Sequence, residues 1–174
     1  MNNIKIKEKL LSKKQIIDFI NSRGCFDLQF RRDVKYKRTN KPVYYGWKAT
    51  FVVMGKYKDE DLLRKIQNSI NCGRLHFVGE NKIRYSVQSI DDLYNKVIPF
   101  FKEYDLSGNR KQNFEWWSKA IKILFQNKGK AIKEWKKEDF LQLIEIQKIM
   151  QKYKIKKIQG QKWLSIAESI SKAK

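Results

Sequence analysis

An apolar helical pattern that ends at a glycine and passes directly into a strand pattern most constrains how this chain can fold. It occupies residues 16–26, with the sequence IIDFINSRGCF. Ile16, Phe19 and Ile20 recur at helical spacing on one face, and Gly24 is a residue type that commonly ends helices. From the next residue onward the apolar positions recur with a period of two, as in a strand. A helix is therefore expected to turn into a half-buried strand with no loop between them.

The net charge restricts the partners of the chain. Its 174 residues suffice for one domain with a sizeable core, yet 39 Lys and Arg stand against 18 Asp and Glu, a formal net charge of +21. Such an excess predicts a polyanionic partner, of which nucleic acid is the leading candidate. A membrane surface is the competing polyanion. The chain has no apolar run of about 18 residues, so no membrane partner is predicted.

Cysteine and histidine are too sparse for a disulfide framework or a zinc site. The chain has two cysteines and one histidine, and no Cys/His cluster has zinc spacing. The opening residues lack the apolar core of a signal peptide. These features predict an intracellular protein that holds no metal and no other cofactor.

Hairpins and helices alternate along the chain. Ser12 can cap the first helix, and in the first strand Phe26, Leu28 and Phe30 alternate with polar residues. The later segments are a strand at 45–53, a helix from Asp59 to Ile70, a hairpin with strands 74–78 and 82–87, a helix from Ser89 that Pro99 should end or bend, and helices at 110–125, 138–153 and 161–173. This order predicts an α+β fold, with a four-stranded antiparallel sheet and helices on one face. Residues 1–126 form a nucleic-acid-binding domain in this interpretation, and residues 127–174 a basic helical extension of it.

Strand parity predicts which side chains the helices leave uncovered. That side carries cationic or hydrogen-bonding residues, and it is broad enough to follow a groove or a phosphate backbone. Its members are Asp27, Gln29, Arg31, Lys48, Thr50, Arg74, His76, Lys82, Arg84 and Ser86. The alternative is that these residues are only the solvated side of an ordinary antiparallel sheet. His76 has no carboxylate or serine partner in a motif, so no catalytic residue is predicted.

A second cationic segment lies near the C-terminus. Lys154, Lys156 and Lys157 crowd the linker between the last two predicted helices, where helix solvation does not require them. They are predicted to contact phosphates. A solvated helix face is the alternative for the neighbouring lysines.

Several short motifs resemble, in order and spacing, those of the LAGLIDADG homing endonucleases over roughly residues 10–125. They are Gly24-Cys25-Phe26, Leu62-Leu63-Arg64-Lys65-Ile66, Cys72-Gly73-Arg74-Leu75, Tyr85-Ser86-Val87 and the segment from Ile98 to Leu106. The resemblance implies a saddle-shaped sheet that lies along a nucleic acid. It also implies signature helices paired at a dimer or pseudo-dimer axis, and divalent metals held by one acid from each signature.

The signature segment departs from the family at two positions that matter. Aligned on Gly24, the first acidic position is Asn21 and the metal-binding acid is replaced by Arg23. An arginine cannot coordinate a cation, so the resemblance with this change implies a site without metal and without nuclease activity. Asp18 replaces a small glycine, adding bulk and charge where two helices would meet on a two-fold axis, which argues against a homodimer.

The family's basic residue after the Pro-Phe-Phe segment is matched by Lys111, or by Arg110 beside it. In a chain without the metals this residue can only bind phosphate. Both are included among the expected nucleic-acid contacts.

Three functional hypotheses follow. The first is a non-catalytic binder of structured RNA in the mitochondrion, as a ribosomal protein or an intron-splicing cofactor beside other proteins of a ribonucleoprotein assembly. The alternative is an active DNA endonuclease whose metal ligand comes from elsewhere, such as Asp18 or Asp27. The third, a DNA-binding repressor, requires a dimer symmetry that Asp18 disfavours.

Overall fold

A computed structural model describes residues 2–33, 44–153 and 161–173. The strands are β1 Gly24–Asp33, β2 Tyr44–Gly55, β3 Arg74–Val78 and β4 Lys82–Val87. The helices are α1 Asn2–Arg23, α2 Glu60–Ile70, α3 Ile90–Asp92, α4 Ile98–Glu103, α5 Gly108–Gln126, α6 Lys137–Lys152 and α7 Gln161–Lys172. Short 3₁₀ turns occupy Tyr57–Asp59 and Ile132–Glu134, and a π-helical turn occupies Leu93–Val97.

The four strands form one antiparallel sheet in the order β1-β2-β4-β3. Apolar side chains at alternate positions of the strands pack beneath the helices, as Phe26, Phe51 and Tyr85 do. On the short strand β3 the coverage is incomplete, since Phe77 is 58% exposed. Residues from both halves of the chain share this core, because α6 contributes Phe140 and Leu143 to it. The predicted α+β fold with helices on one face is confirmed.

The junction between α1 and β1 depends on a glycine. A Cβ atom added to Gly24 would lie 2.6 Å from the carbonyl oxygen of Ile20 and 2.8 Å from its Cγ2 atom. The last turn of α1 and the start of β1 therefore approach more closely than any side chain permits. The helix itself begins at Asn2, ahead of the cap expected at Ser12, since the Lys, Glu and Ile residues before that position are adequate helix formers.

The chain stays helical through Pro99. The segments α3, the π turn and α4 follow one another without a break as far as Glu103. Pro99 is the second residue of α4, directly after the wide π turn. A proline needs no hydrogen-bond acceptor at such a point, and π turns are common where a helix must accommodate an irregularity. The helix end expected at Pro99 does not occur.

An aromatic cluster joins the sheet to its helices. The ring centroid of Phe26 lies 5.1–5.2 Å from the ring centroids of four other residues: Phe51, Phe101, Phe114 and Trp117. Aromatic contacts at this separation add to the hydrophobic stabilisation of the core. The indole N–H of Trp117 also donates to the backbone oxygen of Asp27, at 3.1 Å. Helix α5 is thus held against β1 by both packing and hydrogen bonding.

Asn21 holds the start of α5 against the end of α1. Its Oδ1 atom accepts from the backbone N–H of Ser107, at 3.2 Å. Its backbone oxygen accepts from Nε and Nη2 of Arg110, both at 3.4 Å. Asn21, at the first acidic position of the family's signature, thus links the end of α1 to the start of α5 through hydrogen bonds.

The last two helices cover the outer half of the β1–β2 hairpin. The ring of Phe140 on α6 lies 5.8 Å from that of Phe30 and 5.9 Å from that of Trp47. The Trp163 ring of α7 lies 5.9 Å from the Tyr45 ring. The expected boundary between residues 126 and 127 coincides with the end of α5, but the division into a domain and an extension stays a prediction. None of the helices in the described part of the chain has the length and hydropathy of a membrane span.

We expect Gly24→Ala to lower the free energy of unfolding by about 1–3 kcal/mol, because the added methyl group would overlap backbone. Urea denaturation monitored by circular dichroism measures this. Gly46→Ala is the matched control: a Cβ atom there meets nothing within 4 Å, so its effect should stay within about 0.5 kcal/mol. Equal effects of the two substitutions would contradict the close approach.

We expect Asn21→Ala to cost about 1 kcal/mol of unfolding free energy through loss of the acceptor for the Ser107 N–H. Asn21→Asp keeps an oxygen at the same place and should leave stability near the wild-type value. Chemical denaturation of both variants at one pH and salt concentration provides the comparison. An aspartate variant as unstable as the alanine variant would show that the clamp is not formed by this oxygen.

Candidate nucleic-acid interface

The strand register places most polar residues of the four strands on the side of the sheet opposite the helices; Arg32, which pairs with Tyr45, is on the other face. Directly opposed residues of antiparallel strands share a face. Gln29 pairs with Lys48 across β1 and β2, and His76 pairs with Arg84 across β3 and β4. We call this surface the platform, and its members are Asp27, Gln29, Arg31, Lys48, Thr50, Arg74, His76, Lys82, Arg84 and Ser86.

Solvent reaches the members of the platform unequally. Gln29, Arg31, Arg74, His76 and Lys82 are exposed, while Asp27, Lys48, Thr50 and Arg84 are partly buried. Ser86 is only 6% exposed, because it lies between Val52 of β2 and Arg74 of β3 in the register. The alternation of the strand predicted that Ser86 would be on the contact surface. In the fold its side chain faces that side but is buried beneath larger neighbours.

Four cations of the platform have no acidic partner in the part of the chain that the structure describes. Within the described residues, Arg31, Arg74, Lys82 and Arg84 form no ion pair with any acid. The Nε atom of Arg84 is buried and has no hydrogen-bond acceptor there. A buried unpaired donor costs about 1–3 kcal/mol.

A cleft opens at the edge of the platform, between β3, β4 and the start of α3. Its volume is about 320 Å³, and Arg74, His76 and Ser89 are among the residues that line it. The Ser89 hydroxyl accepts weakly from the backbone N–H of Asp92, at 3.4 Å. Asp92, which pairs with Lys96 at 2.9 Å, also lines the cleft, so its lining carries charges of both signs.

The alternation of polar residues along the strands did not predict that apolar side chains also lie on the platform face. Val52 and Met54 oppose Ser86 and Arg84 in the register, so they share the same face. Cys25 opposes Val52 and joins them. The alternation of β2 already implied this, since Val52 and Met54 lie two and four residues after Thr50. Because both residues are apolar, they were not expected on a face predicted to be polar.

Arg110 and Lys111, the two candidates for the family's basic residue, have different hydrogen-bond partners in the fold. Arg110 reaches the end of α1, where it donates to Asn21. Lys111 pairs instead with Asp105, at 2.9 Å, and both side chains are largely exposed. The hydrogen bond with this carboxylate raises the pKa of Lys111. Arg110 thus contacts the signature segment, and which of the two is the family's basic residue stays a prediction.

The end of α1 does not fit a divalent metal. Arg23 stands where the family's metal-binding acid would be, and it is exposed. Its guanidinium lies 5.5 Å from the ring centroid of Phe19. The described residues contain no cluster of three or more His, Cys, Asp or Glu side chains that could hold a metal ion. Hard cations require anionic or carbonyl oxygens as ligands. An arginine supplies neither, so the end of α1 is not suited to hold Mg²⁺ or Ca²⁺.

The lysines of the C-terminal linker lie outside the described residues. Helix α6 ends at Lys152, and Lys154, Lys156 and Lys157 follow within the undescribed segment. Their role as phosphate contacts stays a prediction.

Curated relatives are named as endonucleases. The chain is 28% identical over 74 residues to "Probable intron-encoded DNA endonuclease 1" of Mycosarcoma maydis, covering 38% of this chain and 28% of the relative. It is 26% identical over 122 residues to "Probable intron-encoded endonuclease 2" of Neurospora crassa, covering 68% and 25%. The chain thus spans about a quarter of the length of these relatives.

Solved structures share the fold. The homing endonuclease I-TnaI matches with a TM-score of 0.69 and 16% identity, over 91% of this chain and 97% of that chain. I-SmaMI bound to an uncleaved DNA target matches with a TM-score of 0.65 and 20% identity, over 79% and 44%. I-LtrWI bound to target DNA matches with a TM-score of 0.65 and 25% identity, over 82% and 45%.

The family follows from a match that covers more than half of the chain. Residues 5–121, from within α1 to within α5, match the family described as "LAGLIDADG endonuclease". The matched range includes the signature helix, all four strands and the start of α5. This chain therefore belongs to the LAGLIDADG endonuclease family.

Proposed function

We propose that this chain binds a specific site on double-stranded DNA through the platform. The observation that carries the proposal is the register, which gathers Arg31, Arg74, Lys82 and Arg84 on one face, where none of them forms an ion pair within the described residues. Cations that no protein acid neutralises are suited to phosphates, whose contacts dominate affinity for nucleic acid. The DNA-bound structures of similar fold, I-SmaMI and I-LtrWI, support DNA as the polyanion.

DNA is better supported than the structured RNA predicted from the sequence. The curated relatives are named as endonucleases, and neither their names nor the matched structures point to a ribosome or to splicing. The RNA hypothesis rested on the charge and on the loss of the metal-binding acid. Both features are equally compatible with DNA. A mitochondrial location rests on family resemblance and stays a prediction.

The platform combines phosphate contacts with groups that can distinguish bases. Its arginines and lysines can bind phosphates and fix the position of a duplex. Gln29 is exposed and Thr50 partly so, and they occupy neighbouring pairs in the register of β1 and β2. Gln can bond adenine through two hydrogen bonds, and Thr can contact the thymine methyl group. The β1–β2 ribbon is therefore the part of the platform proposed to read sequence in the major groove.

Cleavage of the bound DNA is the second candidate function. The names of the curated relatives favour it, whereas Arg23 at the metal-binding position opposes it. Asp18, exposed on α1, and Asp27, on the platform, are the acids nearest in sequence to that position. We expect this chain alone to bind DNA without cutting it when Mg²⁺ or Mn²⁺ is supplied. Cleavage that is lost in Asp18→Asn or Asp27→Asn would instead establish an endonuclease with a relocated metal ligand.

We expect replacement of Arg31, Lys48, Arg74 and Arg84 by glutamine to weaken binding to a duplex selected from a random DNA pool. The slope of log K against log salt should become shallower by up to about 3 to 4, because each duplex phosphate contact contributes about 0.9. Fluorescence anisotropy at several salt concentrations measures both quantities.

The control removes four positive charges from the helical side of the molecule. Lys65, Lys102, Lys122 and Lys133 are exposed there, and replacing them by glutamine should change the salt slope far less. Equal slopes for the two variants would place the contact surface elsewhere. Tighter binding of a structured RNA of equal length would restore the RNA hypothesis.

A further inference from the structure

Gly46 leaves an opening in the polar face of the sheet near the outer end of the β1–β2 hairpin. It lies on the platform side of β2, between Tyr44 and Lys48, and its partner in the register is Arg31 of β1. A Cβ atom added to Gly46 would meet nothing within 4 Å. The sheet therefore has an open floor at this position, with an arginine on the neighbouring strand beside it.

Neither the backbone nor the packing of the described chain requires a glycine here. A glycine inside a strand weakens it, and it often marks a bulge, a tight bend or a point where another group approaches closely. The pairing of β1 with β2 runs through Gly46 without a bulge, and Gly46 does not have the positive φ angle that favours glycine. No described part of the chain approaches it closely. An approaching ligand is the remaining reason for a glycine at this position.

Tyr44 borders the opening and is highly accessible. It is 64% exposed, more than any other large apolar residue that the structure describes. The next residue, Tyr45, faces the helices, where its ring contacts those of Phe30 and Trp163. Tyr44 is therefore on the platform side. Single exposed aromatic residues are common on protein surfaces, but this one lies beside the opening at Gly46 and on a cationic face.

The spacing between Tyr44 and Arg31 suits a planar group. Diagonal neighbours on antiparallel strands lie about 7–8 Å apart. Stacked bases are about 3.4 Å apart, so a base between two planar groups needs a gap of about 7 Å. Unpaired bases stack both on aromatic rings and on guanidinium planes. Arg31 is exposed and forms no ion pair within the described residues, so it is available for such a contact.

We propose that Tyr44 and Arg31 form a stacking site for one unpaired nucleobase of the bound DNA, with Gly46 as its open floor. Bases inside a duplex stack on one another, so the ligand is a base from a strand that continues beyond the paired region. The site lies at the outer end of the hairpin, where Asp33 pairs with Tyr44. This inference rests on the proposed DNA binding and adds to it a contact with single-stranded DNA.

The test uses the selected duplex in three forms: blunt, with a short overhang of unpaired adenines, and with the same overhang lacking its bases. The abasic overhang keeps the phosphates, so a comparison of the two overhangs isolates the bases. Wild-type protein should bind the adenine overhang, placed at the 3′ or the 5′ ends, about tenfold more tightly than the abasic one. The fluorescence of 2-aminopurine in place of an overhang adenine should fall on binding, because stacking quenches it.

Three variants assign the base preference to the proposed site. Tyr44→Phe keeps the ring and should keep the preference. Tyr44→Ala removes the ring and Gly46→Val fills the opening, so both should reduce the preference to less than about twofold. Valine favours strands, so Gly46→Val should fold as wild type. Leu141→Ala removes an exposed apolar side chain from α6, and it should show the wild-type preference.

The outcomes separate this inference from the proposed function. Equal affinity of the wild-type protein for adenine and abasic overhangs overturns the stacking site, and binding of the blunt duplex would leave the proposed function intact. A preference that persists in Tyr44→Ala and Gly46→Val also overturns the site, because the bases would then bind elsewhere. If the platform variant binds the blunt duplex as tightly as wild type does, the proposed function fails, while the two variants still decide the stacking site. Should Tyr44→Ala unfold in urea controls, Gly46→Val carries the comparison.

Discussion

The close approach of α1 to β1 is the constraint on which the rest of the structure depends. Without a side chain at Gly24, the strand can begin directly against the carbonyl of Ile20. That contact fixes which face of β1 turns toward the helices, and so places Phe26 at the centre of the aromatic cluster. Since side chains alternate strictly along a strand, it also fixes which residues of β1 face away.

The same junction sets the character of the functional surface. Register pairing carries the alternation of β1 into β2, β4 and β3, so one orientation at Gly24 determines the outward side of all four strands. Among the described residues, no acid of a helix pairs with an arginine of the platform, because the helices lie on the other side of the sheet. The apolar side chains that form the core lie on the opposite face of the same strands. The residues proposed to bind DNA are therefore not those that form the core.

The signature helix still packs into the core and contacts α5, although Arg23 replaces its metal-binding acid. Asn21 occupies an acidic position of the family, yet its oxygen secures the start of α5. Ile16 and Ile20 remain in the core. The charge differs at the exposed Asp18 and Arg23 and at the partly buried Asn21, none of which belongs to the core. Buried positions are constrained by packing density and exposed ones chiefly by the ligand, which explains how the fold and the metal site can be separated.

Sequence alone determined the element order, the two faces of the sheet and the mismatch at Arg23, because each depends on local periodicity or on a single aligned position. The tertiary structure decided what depends on contacts between distant segments. It gave Arg110 and Lys111 different partners, Asn21 and Asp105, placed Ser86 beneath its neighbours, and left the Nε atom of Arg84 buried without an acceptor. The helix that was expected to end or bend at Pro99 continues to Glu103 in the tertiary structure. Strand parity states which way a side chain faces, but burial and pairing arise only when neighbouring strands and helices are in place.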